Sequence, residues 1–233
     1  MSELFPNLAD SVAHWLEYQK LVKKEELFCE SYLAQPVGEF LITHFPEKQF
    51  KPEYQGLPFK ERKTRGRPAS IDYVMLNRDN KQTVGKRMAI AIEAKWVSSN
   101  QLNAHLIFFD VFRLRDIRNF RENNPISCYF LICGKRTDIE KNFINRTLKN
   151  NSDKRVFTEH FPTTKNNVIT WKTTDDTQLK KYYDQYRKGK TEHAKNQMPE
   201  DIELKVKLFG KKETENFQVF LWEVQLKQGR SKK

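Results

Sequence analysis

Three side chains in the first half of the chain have the types and spacing to handle a phosphate ester. Asp72 stands near the start of one apolar run, residues 70–76, while Glu93 and Lys95 stand two apart near the end of another, residues 88–97. Carboxylates are hard oxygen donors. Two of them, joined by a backbone carbonyl from Ala94 on the strand between Glu93 and Lys95, suit Mg²⁺ or Mn²⁺. A divalent cation polarises a phosphoryl oxygen and lowers the pKa of its water, and an ammonium beside it orients that water or offsets the developing charge. Phosphodiester hydrolysis needs those parts.

The elements that must position these groups are written in the same stretch. The two apolar runs flank polar residues that include Asp79, Asn80 and Gly85, so residues 70–97 read as a β-hairpin with a long loop. Side chains alternate along a strand, which puts Ile90, Ile92 and Ala94 on a core face and Ala91, Glu93 and Lys95 on the other. Antiparallel pairing with a loop near residues 78–87 brings Asp72 roughly opposite Lys95, so that Asp72, Glu93 and Lys95 converge. Read plainly, Glu93 and Lys95 are instead an i, i+2 ion pair on an exposed hairpin, which is worth little.

An aspartate on one strand and Glu-x-Lys on the next resembles the PD-(D/E)XK superfamily of restriction-endonuclease-like nucleases, with Ile71 standing where the motif's proline would be. The resemblance covers residues 8–148. It implies an α/β fold on a mixed sheet: a restriction-endonuclease-like αβββαβ core in residues 1–150, with a C-terminal β-rich extension in residues 151–233. Asp72 and Glu93 would be catalytic metal ligands, Ala94 the residue between, and Lys95 the catalytic lysine. A helix ahead of the sheet often adds a carboxylate in such proteins, and Glu30 is the choice by position, ahead of Glu17 and Glu39. Glu53, on the first strand, is either a further metal ligand or an edge-strand charge. The implied activity is Mg²⁺-dependent hydrolysis of DNA, with Mn²⁺ as substitute, in an endonuclease of the restriction or phage-defence kind; RNA stays open, and a homodimer is one arrangement for cutting both strands. The rival is a catalytically silent nuclease-fold module that binds nucleic acid or a protein partner.

Charge points the same way. The chain has 233 residues and a net charge of +12, which favours an anionic partner, nucleic acid ahead of a membrane. Arg62, Lys63, Arg65 and Arg67 crowd one segment leading into the strand of Asp72, where they suit phosphate contact or are a solvated charge run. Arg65 to Pro68 also match the core tetrapeptide of AT-hooks. Gln101, close after Lys95, is placed to meet the scissile phosphate or its water. The three cysteines have no zinc-site spacing, and no apolar run is long enough to span a membrane, so a reduced, cytoplasmic protein is expected.

The remaining pattern predicts a first helix from Asn7, a second from residue 27 to near His44 bent at Pro36, and a first strand over residues 45–54. A long helix follows over residues 101–121, with Asp110 and Arg113 inside its apolar stripe; the segment DVFRL resembles an Asp-x-x-Arg-Leu pattern on the corresponding helix of some superfamily members, and the plain reading, preferred here, is a buried ion pair one turn apart. Residues 127–133 form a central strand and residues 138–148 a helix. Beyond residue 150 come short strands at 156–157 and 168–171 and a tyrosine-rich helix around 179–186. A hydrophilic linker over 189–199 leads to a closing hairpin, placed either over the sheet or in a dimer contact.

Overall fold

A computed structural model describes residues 5–55, 70–78, 88–98, 102–119, 126–148, 151–164 and 167–226. Arg62, Lys63, Arg65, Arg67 and Gln101 lie outside the described residues. Helix α1 (Pro6–Leu21) begins with a proline in its first turn, where a missing N–H breaks no helical bond, and ends with Lys20 near its negative pole. Helix α2 is Ala34–His44. Strands β1 (Lys48–Tyr54), β2 (Ile71–Asn77) and β3 (Met88–Val97) lead to helix α3 (Ala104–Asn119) and strand β4 (Ser127–Lys135).

A short helix, α4 (Arg136–Ile139), widens into a π turn at Glu140–Ile144. Strands β5 (Thr147–Leu148) and β6 (Asn151–Arg155) pair only with each other, and β7 (Val168–Lys172) precedes helices α5 (Thr177–Lys188) and α6 (Glu192–Gln197). Strands β8 (Glu203–Glu213) and β9 (Phe217–Leu226) close the described chain.

Seven strands form one mixed sheet in the order β1-β2-β3-β4-β9-β8-β7. Only β3 and β4 run parallel, and α3 makes the crossover between them; every other neighbouring pair is antiparallel. Both faces are covered. Phe5, Leu8, Val12, Leu16, Val37 and Leu41 of the α1 and α2 side pack on Tyr73, Met75, Ile90 and Ile92. On the other face Ile107, Val111, Phe112 and Tyr183 pack with Ala91, Cys128, Phe130 and Trp222. A strand enclosed on two sides must be apolar on both, which is why β3 reads MAIAI before its charges begin. At its far end β3 comes so close to β4 that a Cβ on Gly134 would sit 2.5 Å from the Val97 carbonyl oxygen, so only glycine fits there.

Several expectations are revised. The stretch around residues 25–33 is not helical throughout: it makes two 3₁₀ turns, Glu25–Leu27 and Ser31–Leu33, and α2 starts only at Ala34. Pro36 explains this, because its ring and missing N–H are tolerated in a first turn but not in a helix interior. The closing hairpin neither covers the sheet nor stands apart; β9 pairs along β4 from Cys128–Val224 to Lys135–Phe217, so the 151–233 segment continues the sheet begun in residues 1–150. Val156 and Phe157 lie beyond the strand that ends at Arg155, and the expected linker contains α6.

Candidate active site

The site forms where β2 parts from β3. Their pairing runs to Tyr73 opposite Ile92, so the next pair in register is Asp72 with Glu93 and not, as expected, Asp72 with Lys95. The register slips between Met75 and Leu76 before this end of the hairpin is reached. The Ala94 amide, instead of taking a backbone partner on β2, donates to Asp72 Oδ2 at 2.8 Å. The aspartate thus replaces a rung of the ladder, and this fixes its carboxyl beside Glu93, the residue next to Ala94.

A twist on the outer side accompanies this parting. Glu53, between the pairs Pro52–Tyr73 and Tyr54–Ile71, adopts a left-handed conformation with φ 45°. Phe50, Tyr73 and Met75 pack toward α1 and α2, whereas Tyr54 and Ile71, just beyond the twist, pack into the α3-side core. Phe50 and Tyr54 therefore do not share a face as strict alternation predicts. Glu53 is exposed on β1, across from Asp72 in strand order.

Glu93 and Lys95 are not a surface pair. Glu93 is 1% exposed, and its Oε1 accepts from Arg113 Nη1 at 2.6 Å. Lys95 Nζ lies 2.9 Å from Glu30 Oε1 and 3.1 Å from Asp110 Oδ2. Asp110 and Arg113, themselves 3.3 Å apart, are the ion pair expected on α3. They do more than balance each other, since one engages the lysine and the other the glutamate. Sequence reasoning misses that role, although two charges inside an otherwise apolar helical stripe are the kind of signal that needs a partner on the opposing sheet.

Glu30 reaches the site from the segment between the two 3₁₀ turns. Phe28 anchors that segment against Trp96 and Phe217, with ring centroids 5.6 and 5.3 Å away. Tyr73 holds it from below by donating its hydroxyl to the Glu30 carbonyl at 3.3 Å. Residues from the N-terminal segment, β2, β3 and α3 therefore meet at one point.

The electrostatics follow from crowding carboxylates where water is scarce. Burial drives the Glu93 carboxyl well above the ordinary glutamate value; Arg113 opposes this, and Asp110 and Asp72 reinforce it. Burial likewise raises Asp110 against the pull of Lys95 and Arg113, and raises Glu30 against the pull of Lys95. For Lys95 burial works against the charge, but Asp110, Glu30 and Asp72 together outweigh it and hold the ammonium above the usual lysine range. Arg113 is raised in the same way by Glu93 and Asp110.

Four carboxylates, those of Glu30, Asp72, Glu93 and Asp110, thus surround two cations, Lys95 and Arg113. The imbalance of negative charge suits protons or a divalent cation between Asp72 and Glu93, which are the two carboxyls in direct reach of one another. Among the described residues no three His, Cys, Asp or Glu side chains already stand in metal-binding geometry. Asp72 and Glu93 would hold such an ion with Ala94 between them; Glu30 and Asp110 are turned to the lysine.

Nearly all of the +12 falls in segments outside the described residues, chiefly 60–67 and 227–233, so the described residues taken together are close to neutral. Among the described residues no helix is long and apolar enough to cross a membrane. Cys29, Cys128 and Cys133 are free thiols. No protein-family model, curated protein or solved structure matches this chain.

Proposed function

We propose that this protein is a metal-dependent nuclease of the PD-(D/E)XK kind that hydrolyses phosphodiester bonds in DNA. The observation that carries the reading is that Asp72, held by the Ala94 amide, stands beside Glu93 at the parting of β2 and β3, with the Lys95 ammonium on the same strand two residues on. Such a pair is costly unless a cation or proton lies between its members. Its residues fit Mg²⁺ or Mn²⁺, hard ions that take carboxylate oxygens and keep several waters.

When bound, the ion supplies Lewis-acid polarisation of a phosphoryl oxygen and a more acidic water. Asp72, pinned by the Ala94 amide, and Glu93, pinned by Arg113, present the carboxylate oxygens. Lys95 places its ammonium to offset negative charge on the phosphoryl oxygens, with Glu30 and Asp110 fixing the direction of its long side chain. The basic segment carrying Arg62, Lys63, Arg65 and Arg67, and Gln101 after β3, extend the reading to the nucleic-acid backbone; these five are assigned from sequence alone. A restriction or phage-defence endonuclease in the cytoplasm, acting as a homodimer on duplex DNA, is the biological form of the proposal, and free thiols suit that compartment.

The test is cleavage of supercoiled plasmid, linear duplex, single-stranded DNA and RNA with Mg²⁺, Mn²⁺ or chelator, comparing the wild type with Asp72→Asn. That substitution keeps the size of the side chain while removing its negative charge. Metal-dependent cutting of DNA that the substitution abolishes is the expected result. Binding without cutting in every metal would sink the nuclease reading and leave the second one, a silent nuclease-fold module for nucleic acid or protein. That second reading draws on the burial of Glu93 beneath Arg113, an arrangement that also serves as a purely structural ion-pair network.

A further inference from the structure

We propose that Arg113 is a positioning residue of this centre, setting Glu93 against Asp72 and thereby the affinity of the two carboxylates for a divalent cation. The inference rests on the metal-dependent reading above, but its starting point is a contact set that neither the strand motif nor its spacing contains. A single guanidinium nitrogen, Arg113 Nη1, reaches three elements: the Ser70 carbonyl just ahead of β2 at 3.2 Å, Glu93 Oε1 on β3 at 2.6 Å, and Asp110 Oδ1 on α3 at 3.3 Å.

Two consequences follow from this geometry. The first concerns the gap between the strands. Backbone pairing has ended at Tyr73–Ile92, so the separation of Asp72 from Glu93 is set by other bonds: the Ala94 amide on Asp72 on one side, and Arg113 joining Ser70 to Glu93 on the other. Removing the second bond frees both the start of β2 and the glutamate. The second concerns orientation. With Oε1 committed to the guanidinium, the Glu93 carboxyl is held in reach of Asp72 instead of turning away from a like charge.

Lysine is not equivalent to arginine here. Nη1 lies one bond beyond the place a lysine ammonium reaches on its flexible stem, so Arg113→Lys keeps the charge and loses the three-way tether. Groups that orient a metal ligand without touching the metal commonly affect its affinity by about 10- to 100-fold.

The experiment is a titration of the metal-stripped full chain with Mn²⁺, followed by the paramagnetic resonance of free Mn²⁺, on wild type, Asp72→Asn, Arg113→Lys and Arg113→Met. Thermal melting of each metal-free protein is recorded alongside. The expected result is one Mn²⁺ site lost in Asp72→Asn, weakened about 10- to 100-fold in Arg113→Met, and intermediate in Arg113→Lys. If Arg113→Met does not fold, Arg113→Lys carries the decision through its affinity at wild-type melting temperature. Wild-type affinity in the folded Arg113 variants overturns the inference while the metal site stands. Absence of an Asp72-dependent Mn²⁺ site in the wild type overturns the metal-dependent reading itself and the role of Arg113 with it.

Discussion

Lys95 and Asp110 lie 3.1 Å apart, and Asp110 is only 5% exposed, so the lysine is the counter-charge of a buried carboxylate as well as a candidate for chemistry. Breaking that pair from the lysine side leaves Asp110 with Arg113 alone, a guanidinium already committed to Glu93. Lys95→Ala should therefore destabilise the fold by about 3–5 kcal/mol, read as a shift of the urea unfolding midpoint. The double variant Lys95→Met with Asp110→Leu should recover most of that loss, since apolar replacements of both partners remove the buried charge. A Lys95→Ala protein as stable as the wild type would show that Arg113 alone, or a proton, suffices for Asp110. Loss of cleavage in Lys95→Ala alone is accordingly poor proof of catalysis, which is why Asp72→Asn is the cleaner test.

Glu30 presents the opposite balance. Its side chain is 43% exposed, so its 2.9 Å contact with Lys95 is screened by water and adds less than about 1 kcal/mol to stability. Glu30→Gln should leave the melting temperature nearly unchanged while lowering cleavage about 10- to 100-fold, because the lysine loses one of the two groups that aim it. Equal activity in plasmid cleavage would reduce Glu30 to a bystander.

The pH dependence has two signs. Glu93 and Asp110 titrate above the ordinary carboxylate values, first because they are buried, so their protonated forms favour the folded state. That contribution is present below the unfolded value near 4.5 for glutamate and is lost as pH rises through the folded one. Metal-stripped protein should therefore gain less stability, or lose some, on going from about pH 5 to about pH 7.5, and Glu93→Gln should flatten that trend.

Asp176 behaves in reverse. Its hydrogen bond with His160 at 3.0 Å, with the Leu179 amide as further donor, lowers its carboxyl to about 2 from 3.8. Its stabilising contribution is present above 3.8 and lost as pH falls through about 2. As the N-cap of α5, Asp176→Ala should cost about 1 kcal/mol at neutral pH, with the difference from wild type vanishing in acid unfolding curves.

If the basic segment tracks a phosphate backbone, replacing Arg62, Lys63, Arg65 and Arg67 by alanine should make the slope of log affinity against log salt shallower by about 3 to 4. Filter binding of a duplex across a salt series measures it. An unchanged slope would move phosphate contact to other cations.

The alternation and apolar runs of residues 70–76 and 88–97 determine two strands, and Glu93 with Lys95 at the end of the second is legible because charge after MAIAI has no local reason. Periodicity also determines α1, α3 and the terminal hairpin, since each buries one recurrent set of side chains. The end of the pairing lay beyond it, because the departure of β2 after Tyr73 depends on packing against neighbours distant in the chain. So did the company of the charges: Glu30 is 65 residues from Lys95, and Arg113 is 20 from Glu93. Ion pairs across such separations are set by how α3 and the 25–33 turns dock on the sheet, and only the tertiary structure decides that. The sheet's continuation from β4 into β9 is the same case: a hairpin's apolar pattern states that it must be covered, and the available strand edge settles where.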